Sequence, residues 1–356
     1  VPWPTEEADC IVSLINDFLH SMHLRKGSDL HVIAGDPPRM RVHGDLITLD
    51  NRRLDPEELK AELIAIMSET SMQQLSKHDS ADFAHSIPDV ARFRVNVFRH
   101  LNGIGAVFRG IPSKALTLEE LKMPRALQEL STATRGLILV TGKTGSGKST
   151  TLAAVIDAIN DQIHGHILTI EDPIEFVHQR KHCLISQREV GVHSPSFASA
   201  LHSALREDPD AILVGELRDL ETMSIAMTAA EMGVLVMGTL HTNGAAATID
   251  RVVNIFPADK QDHVRNMLST SLRGIVSQQL LKKKDGTGRV AALEILMNTP
   301  ASANIIRQGK LEQLENVMQS SGAAGMCTMD SSLRKLYDDG VISGEEAYLQ
   351  AFDKAK

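Results

Sequence analysis

The chain is 356 residues long, which at roughly 150 residues per domain allows two domains with their own packed cores. With 42% hydrophobic and 23% charged residues it has the composition of an ordinary globular protein, and wholesale disorder is excluded. Its 37 Lys and Arg against 45 Asp and Glu give a formal charge of -8, opposite in sign to a dedicated nucleic-acid binder, and two tyrosines with one tryptophan offer little stacking platform for bases.

In chain order, residues 1–111 read as a small α+β domain. The first seven residues lack the basic and apolar regions of a secretory signal. Ile11, Leu14, Ile15, Phe18, Leu19 and Met22 recur at helical spacing and predict a helix over 11–22. Residues 28–33 predict a short strand and 39–49 a hairpin turned at Gly44-Asp45. Asp55, Pro56 and Glu58 predict a helix start, as N-cap, N1 proline and capping-box glutamate. Strands follow over 91–98 and 105–111. In the first, Phe93, Val95 and Val97 share one face while Arg92, Arg94 and Asn96 share the other. Residues 112–135 predict a linker and a short helix.

From Gly136 the pattern changes. Apolar runs at 137–140, 167–170, 212–214 and 234–237 alternate with helical stretches and carry no polar alternation, as strands buried on both faces of a parallel sheet do. Residues 136–298 therefore predict an α/β core, and 299–356 a helical region broken near 320–325 and 340–344. Cys10, Cys183 and Cys327 stand far apart, so no CxxC pair is present, and the odd count suits a reducing compartment. No apolar run reaches the roughly 18 residues that a membrane span needs.

The strongest motif runs from Gly142 to Ser149 (Gly142, Lys143, Thr144, Gly145, Ser146, Gly147, Lys148, Ser149) and matches GxxxxGK[ST] completely, between a predicted buried strand and a predicted helix over 150–160. Glycines let such a loop turn its N–H groups onto phosphate oxygens, and the following helix adds its positive end. Lys148 is expected to reach the β- and γ-phosphates of ATP and Ser149 to ligate Mg2+, with Thr150 closing the set. A phosphate loop also needs carboxylates at the ends of neighbouring strands. Two clusters qualify, Glu171, Asp172 and Glu175 after one strand, and Glu216 after another, where Gly215 permits close approach. Glu216 is the expected general base or water-orienting residue. For Glu171, Asp172 and Glu175, contacts to Mg2+ or water stand beside the plainer reading of solvated loop acids. His241, at the polar tip of a further strand, is either a γ-phosphate sensor or a surface histidine. Positive charge for the transferring phosphoryl group is offered by Arg206, Arg218 and Arg251 in the core and by Arg92, Arg94 and Arg109 in the small domain, though solvated strand arginines are common.

These motifs, together with 170–177, 204–210, 212–216 and 238–242, occur in an order that resembles the bacterial type II/IV secretion ATPases, and within them the PilT-like retraction ATPases of type IV pili. The resemblance runs from about Gly27 to about residue 340. It implies a RecA-like P-loop domain with a smaller PAS-like α+β N-terminal domain and C-terminal helices, assembled as a cytoplasmic homohexamer, peripheral at the inner membrane and against a platform protein of the pilus machine. ATP would lie between the two domains, and its hydrolysis would drive pilin disassembly; no direct nucleic-acid binding is expected. By matched position Lys148 and Ser149 are the Walker A residues, Glu216 is the catalytic glutamate, Glu171, Asp172 and Glu175 form an acidic box, His241 lies in a histidine box, and Arg94 and Arg109 approach the γ-phosphate. Two positions depart from the family pattern. Val234 replaces a histidine, and in 301–307 Ser302 and Ala303 replace isoleucine and arginine. The alternatives in the same superfamily are an accessory retraction ATPase, a paralogue that would otherwise be a partner of the main motor, or a related secretion or DNA-uptake motor. Assembly and secretion relatives carry a tetracysteine zinc module that three separated cysteines exclude.

Overall fold

The computed structural model describes residues 13–42, 45–88, 90–111 and 115–354. Ile11 of the first predicted helix, Gly44 of the predicted turn, Cys10 and the first three residues of the predicted linker lie outside them. The chain divides into two compact units, Val1–Ser113 and Lys114–Lys356.

The first unit contains α1 (Leu14–Leu24), β1 (Asp29–Ile33), β2 (Arg39–Val42), β3 (Asp45–Thr48), α2 (Pro56–Ala65), α3 (Glu69–His78), β4 (Ser80–Ile87), β5 (Ala91–His100) and β6 (Gly103–Ile111). Its strands make one antiparallel sheet in the order β3-β2-β1-β6-β5-β4. Period-two alternation gives that sheet one apolar face, where Phe93, Val95, Val97 and Phe108 pack with Ile15 and Leu19 of α1 and Leu59 and Leu63 of α2. The other face carries the arginines, and the register sets Arg94 opposite Arg109, and Arg109 opposite Asp29. Asp55 caps α2 through the N–H groups of Glu57 and Glu58. Glu58 does not close a capping box; its carboxylate takes the Arg52 guanidinium at 2.7 Å instead.

The second unit contains α4 (Arg125–Ser131), β7 (Gly136–Thr141), α5 (Lys148–Gln162), β8 (His166–Glu171), β9 (Leu184–Glu189), α6 (Phe197–Ala204), β10 (Ala211–Val214), α7 (Leu220–Glu231), β11 (Leu235–Leu240), α8 (Ala245–Asn254), α9 (Gln261–Ser271), β12 (Leu272–Lys282), β13 (Arg289–Met297), α10 (Pro300–Gln308), α11 (Leu314–Ser320), α12 (Met329–Asp338) and α13 (Gly344–Gln350). Seven strands form a sheet in the order β13-β12-β7-β11-β10-β8-β9, parallel except for β13. Alternate residues of the central strands serve two cores. Leu139, Ile170, Ile212, Val214 and Val236 face α6 to α10, and Ile138, Val140, Ile167, Leu213 and Met237 face α4 and α5. This is an α/β architecture, with helices on both faces of a mostly parallel sheet. Each such side chain taken fully out of water contributes roughly 1.5–3 kcal/mol.

Strands β4, β9, β12 and β13 fall where the sequence pattern carries no strand expectation. Three of them are sheet edges, and β12 breaks its apolar run with Ser277, Gln278 and Gln279. The register ends β7, β11, β10 and β8 at one edge of the sheet, and the loops that follow them open there together. Among the described residues no helix is long and apolar enough to cross a membrane.

Candidate active site

Strand β7 runs into the glycine loop, and α5 opens at Lys148. Gly142 and Gly147 hold φ of 140° and 90°, in the region that favours glycine. Space demands glycine there as well. A Cβ on Gly142 would run into the Gln278 carbonyl oxygen, and one on Gly147 would lie 2.7 Å from Gln278 Nε2. The Lys148 side chain is buried, and its Nζ donates to the carbonyl oxygens of Gly142 at 2.9 Å and Lys143 at 3.2 Å. Burial pulls its pKa below the ordinary lysine value, while Glu216 and Glu175 work in the opposite direction. Ser146 Oγ is buried and finds no hydrogen-bond partner among the described residues. The loop therefore presents a buried cation, an unsatisfied hydroxyl and the free N–H groups of a helix start, a set that fits the phosphates of a nucleotide.

Gln278 is a residue that motif reading missed. Its Oε1 accepts from Thr151 Oγ1 at 2.7 Å and its Nε2 donates to the Ser146 carbonyl at 2.8 Å, so β12 braces the loop from behind. The available signal was a polar triplet, Ser277 to Gln279, inside an apolar strand.

At the end of β8, Glu171 is buried and accepts from Thr169 Oγ1 at 2.7 Å and from the Glu175 N–H at 3.3 Å. Burial pushes its carboxyl up to about 6 against those hydrogen bonds. With Ser149, Gly215 and Thr239 it lines a cavity of about 30 Å³, room for about one water. Asp172 and Glu175 are exposed. Asp172 acts electrostatically on Arg218, and Glu175 on Lys148. Among the described residues no group of three His, Cys, Asp or Glu is placed to hold a metal ion unaided.

Glu216 follows β10. The Gly215 N–H donates to the Ile170 carbonyl at 2.7 Å, and a Cβ on Gly215 would lie 3.2 Å from Glu171 Cα, so the glycine lets the two acidic strand ends come together. The Glu216 carboxylate is 17% exposed and is held by Arg218 Nε and, at 3.1 Å, by His241 Nε2 from the end of β11. Burial works to raise its pKa, but the Arg218 guanidinium and the His241 ring outweigh burial and hold it below the usual carboxylate range. A carboxylate so held stays ionised and is a weak base, better suited to orienting water than to stripping its proton. Of the three core arginines singled out, Arg218 is the one that pairs with Glu216.

In the first unit Arg109 Nε donates to Asp29 Oδ1 at 2.8 Å, and Arg94 Nε lies 3.9 Å from Asp82. Both side chains are largely exposed. Val234 precedes β11 and so sits at the opposite end of that strand from His241, roughly 20 Å away at strand rise. Ser302 closes a capping box with Thr299 at the start of α10, so the serine at that position has its own structural use.

Residues 5–328 match the family described as "Type II/IV secretion system protein". The chain belongs to that family. Among curated relatives it is 50% identical, over 98% of its length and 93% of theirs, to a "Twitching motility protein" of Neisseria gonorrhoeae. It is 53% identical, over 90% of its length and 93% of the relative's, to the "Type IV pilus retractation ATPase PilT" of Pseudomonas aeruginosa. A crystal structure of the pilus retraction motor PilT with bound ADP superposes with a TM-score of 0.89 at 45% identity, covering 97% of this chain and 98% of that one. The family resemblance read from the motifs is thus carried by nearly the whole chain.

Proposed function

We propose that the chain is a motor ATPase that couples ATP hydrolysis to type IV pilus retraction. The observation that carries this reading is the convergence, at one sheet edge of a chain in this family, of buried Lys148, Ser149 and an ionised Glu216.

In this reading the backbone from Gly142 to Thr150 cradles the phosphates. Lys148 exchanges its two carbonyl partners for β- and γ-phosphate oxygens, and the Ser146 hydroxyl gains the acceptor it lacks. Ser149 would hold Mg2+, with Glu171, Asp172 and Glu175 as the nearby carboxylate candidates. Bound there, the ion would supply charge neutralisation at the phosphates. Glu216 holds the attacking water, Arg218 and His241 fix its carboxylate, and His241 reports on the γ-phosphate. Arg94 and Arg109 supply positive charge to the transferring phosphoryl group, a service worth roughly 10³–10⁵ in rate when an arginine is well placed. Residues 1–111 serve as the N-terminal domain, 136–298 as the hydrolysing core and 299–356 as the helices that pass motion onward. The working assembly is a cytoplasmic homohexamer, peripheral at the inner membrane and against a platform protein.

Two measurements test this. Purified oligomer with magnesium should release phosphate from ATP at steady state, and cells lacking the gene should carry excess, unretracted surface pili. Absence of turnover under all conditions would end the motor reading. A second reading, an accessory retraction ATPase, is favoured by Ser302 and Ala303 standing where the family pattern has isoleucine and arginine. Under that reading deletion weakens retraction, and under the first it abolishes it.

A further inference from the structure

Helix α8 starts four residues after His241, and its N-cap, Gly244, has no side chain with which to cap it. Two other strands do the capping. Ser277 Oγ of β12 accepts from the Gly244 N–H at 2.9 Å, and Glu294 Oε1 of β13 accepts from the Ala245 N–H at 2.6 Å. Ser277 and Glu294 are direct cross-strand partners. The second Glu294 oxygen accepts from the Met329 N–H, the first residue of α12, at 3.3 Å. One buried carboxylate therefore sits on the positive ends of two helices, one leading from the His241 loop and one belonging to the C-terminal region. Gly244 is held at φ 91°, and a Cβ there would come within 3.2 Å of Glu294 Oε1, so the approach is close by necessity. Asp330, next along α12, accepts from the N–H groups of Phe352 and Asp353 at 2.8 and 3.0 Å, which extends the chain of contacts to the last described residues. A cavity of about 420 Å³ lies beside this joint, lined in part by Asn243, Glu294, Met329 and Phe352, and leaves room for it to shift.

We propose that Glu294 is a positioning residue that couples the C-terminal helices, through α12, to the loop bearing His241. The inference rests on the ATPase reading above. The carboxylate makes its two bonds at opposite oxygens, so movement at either helix start must be felt at the other.

The test uses the full chain with Glu294→Gln, which keeps the volume and one acceptor oxygen. In the parent protein ADP should slow amide exchange over 142–150, over 241–248 and over 329–333. In the variant the protection over 142–150 should persist and that over 329–333 should vanish. ATP turnover should fall roughly tenfold in kcat with KM within about twofold, because the phosphate loop is untouched. If Glu294→Gln fails to fold, Ser277→Ala, which frees the Gly244 N–H, should give the same split of kcat from KM. Unchanged kcat, or ADP-dependent protection of 329–333 that survives the substitution, would overturn the coupling. A parent protein that binds ADP and shows the exchange pattern but never hydrolyses ATP would instead sink the functional reading alone.

Discussion

His178 offers a quantitative check on how the site is packed. It lies on the segment between β8 and β9 and borders the small cavity shared by Ser149 and Glu171. Burial lowers its pKa from 6.5 to about 4, only partly opposed by Asp157. Between those two values the unfolded chain takes up a proton that the folded chain refuses. Stability from this source is therefore complete above pH 6.5 and is lost as the pH falls towards 4. At pH 5 the two pKa values give a loss of about 2 kcal/mol relative to neutral pH. For a unit of this size that corresponds to about 4–8 °C in Tm. The experiment is calorimetry at pH 7.5 and pH 5.0, without nucleotide, on the parent and on His178→Asn, following the transition that added ADP raises. The backbone bond from the His178 N–H to Gln187 Oε1, at 2.9 Å, survives the substitution. Any packing deficit of the variant is present at both pH values and cancels in the difference between them. The parent should lose about 4–8 °C more than the variant on acidification. An equal loss in both proteins would show that the ring is solvated when folded and that the burial argument is mistaken.

Four substitutions probe the phosphate site directly. Lys148→Ala should abolish useful ATP binding, read with a fluorescent nucleotide; tight binding would remove Lys148 from the phosphate contacts. Glu216→Gln should keep ATP binding and lose turnover by about 10²-fold or more, and near-parental phosphate release would reassign the water-holding role. Gln278→Leu strips partners from the Ser146 carbonyl and the Thr151 hydroxyl, and titration calorimetry should find ADP bound at least about tenfold more weakly. Arg94→Ala should slow hydrolysis while leaving the circular dichroism melt of the small unit in place. Unaltered kinetics would return Arg94 to its loose pairing with Asp82.

What was legible in the sequence was local. The glycine loop, its strand and its helix lie within thirty residues and each dictates its own conformation, so the reading of β7, loop and α5 differs from the structure by a residue or two at the ends. What was hidden depends on distant pairing. Gln278 reaches Ser146 across 132 positions, and Glu294 reaches Ala245 across 49. Nothing in a linear pattern marks a glutamine in a strand as the brace of a loop so far away. The edge strands β4 and β9 escaped for another reason. Their outer sides lack a neighbour, so their side chains need not be apolar, and Leu184 to Glu189 carries no strand expectation although it pairs with β8. The departures from the family pattern also gain a structural setting once placed, since Val234 lies at the far end of its strand and Ser302 closes the capping box of Thr299.

The acidic residues make the same point about chemistry. In the sequence Glu171 and Glu216 share one setting, each an acid following a buried apolar strand, and only the glycine before Glu216 separates them. In the fold their surroundings differ in sign. Glu171 is enclosed among neutral donors, Thr169, Gln187 and a backbone N–H, and burial prevails, lifting its carboxyl to about 6. Glu216 is enclosed between Arg218 and His241, and the cationic partner and the ring prevail over burial. Environments that drive two carboxyls apart assign them different tasks. Glu216 is the one whose negative charge is secured by the protein itself, before any ligand arrives, as the water-holding role proposed for it requires. Among the described residues Glu171 has no cationic partner, and it lines one small cavity with Ser149 and Gly215, where an arriving cation would favour its ionised form.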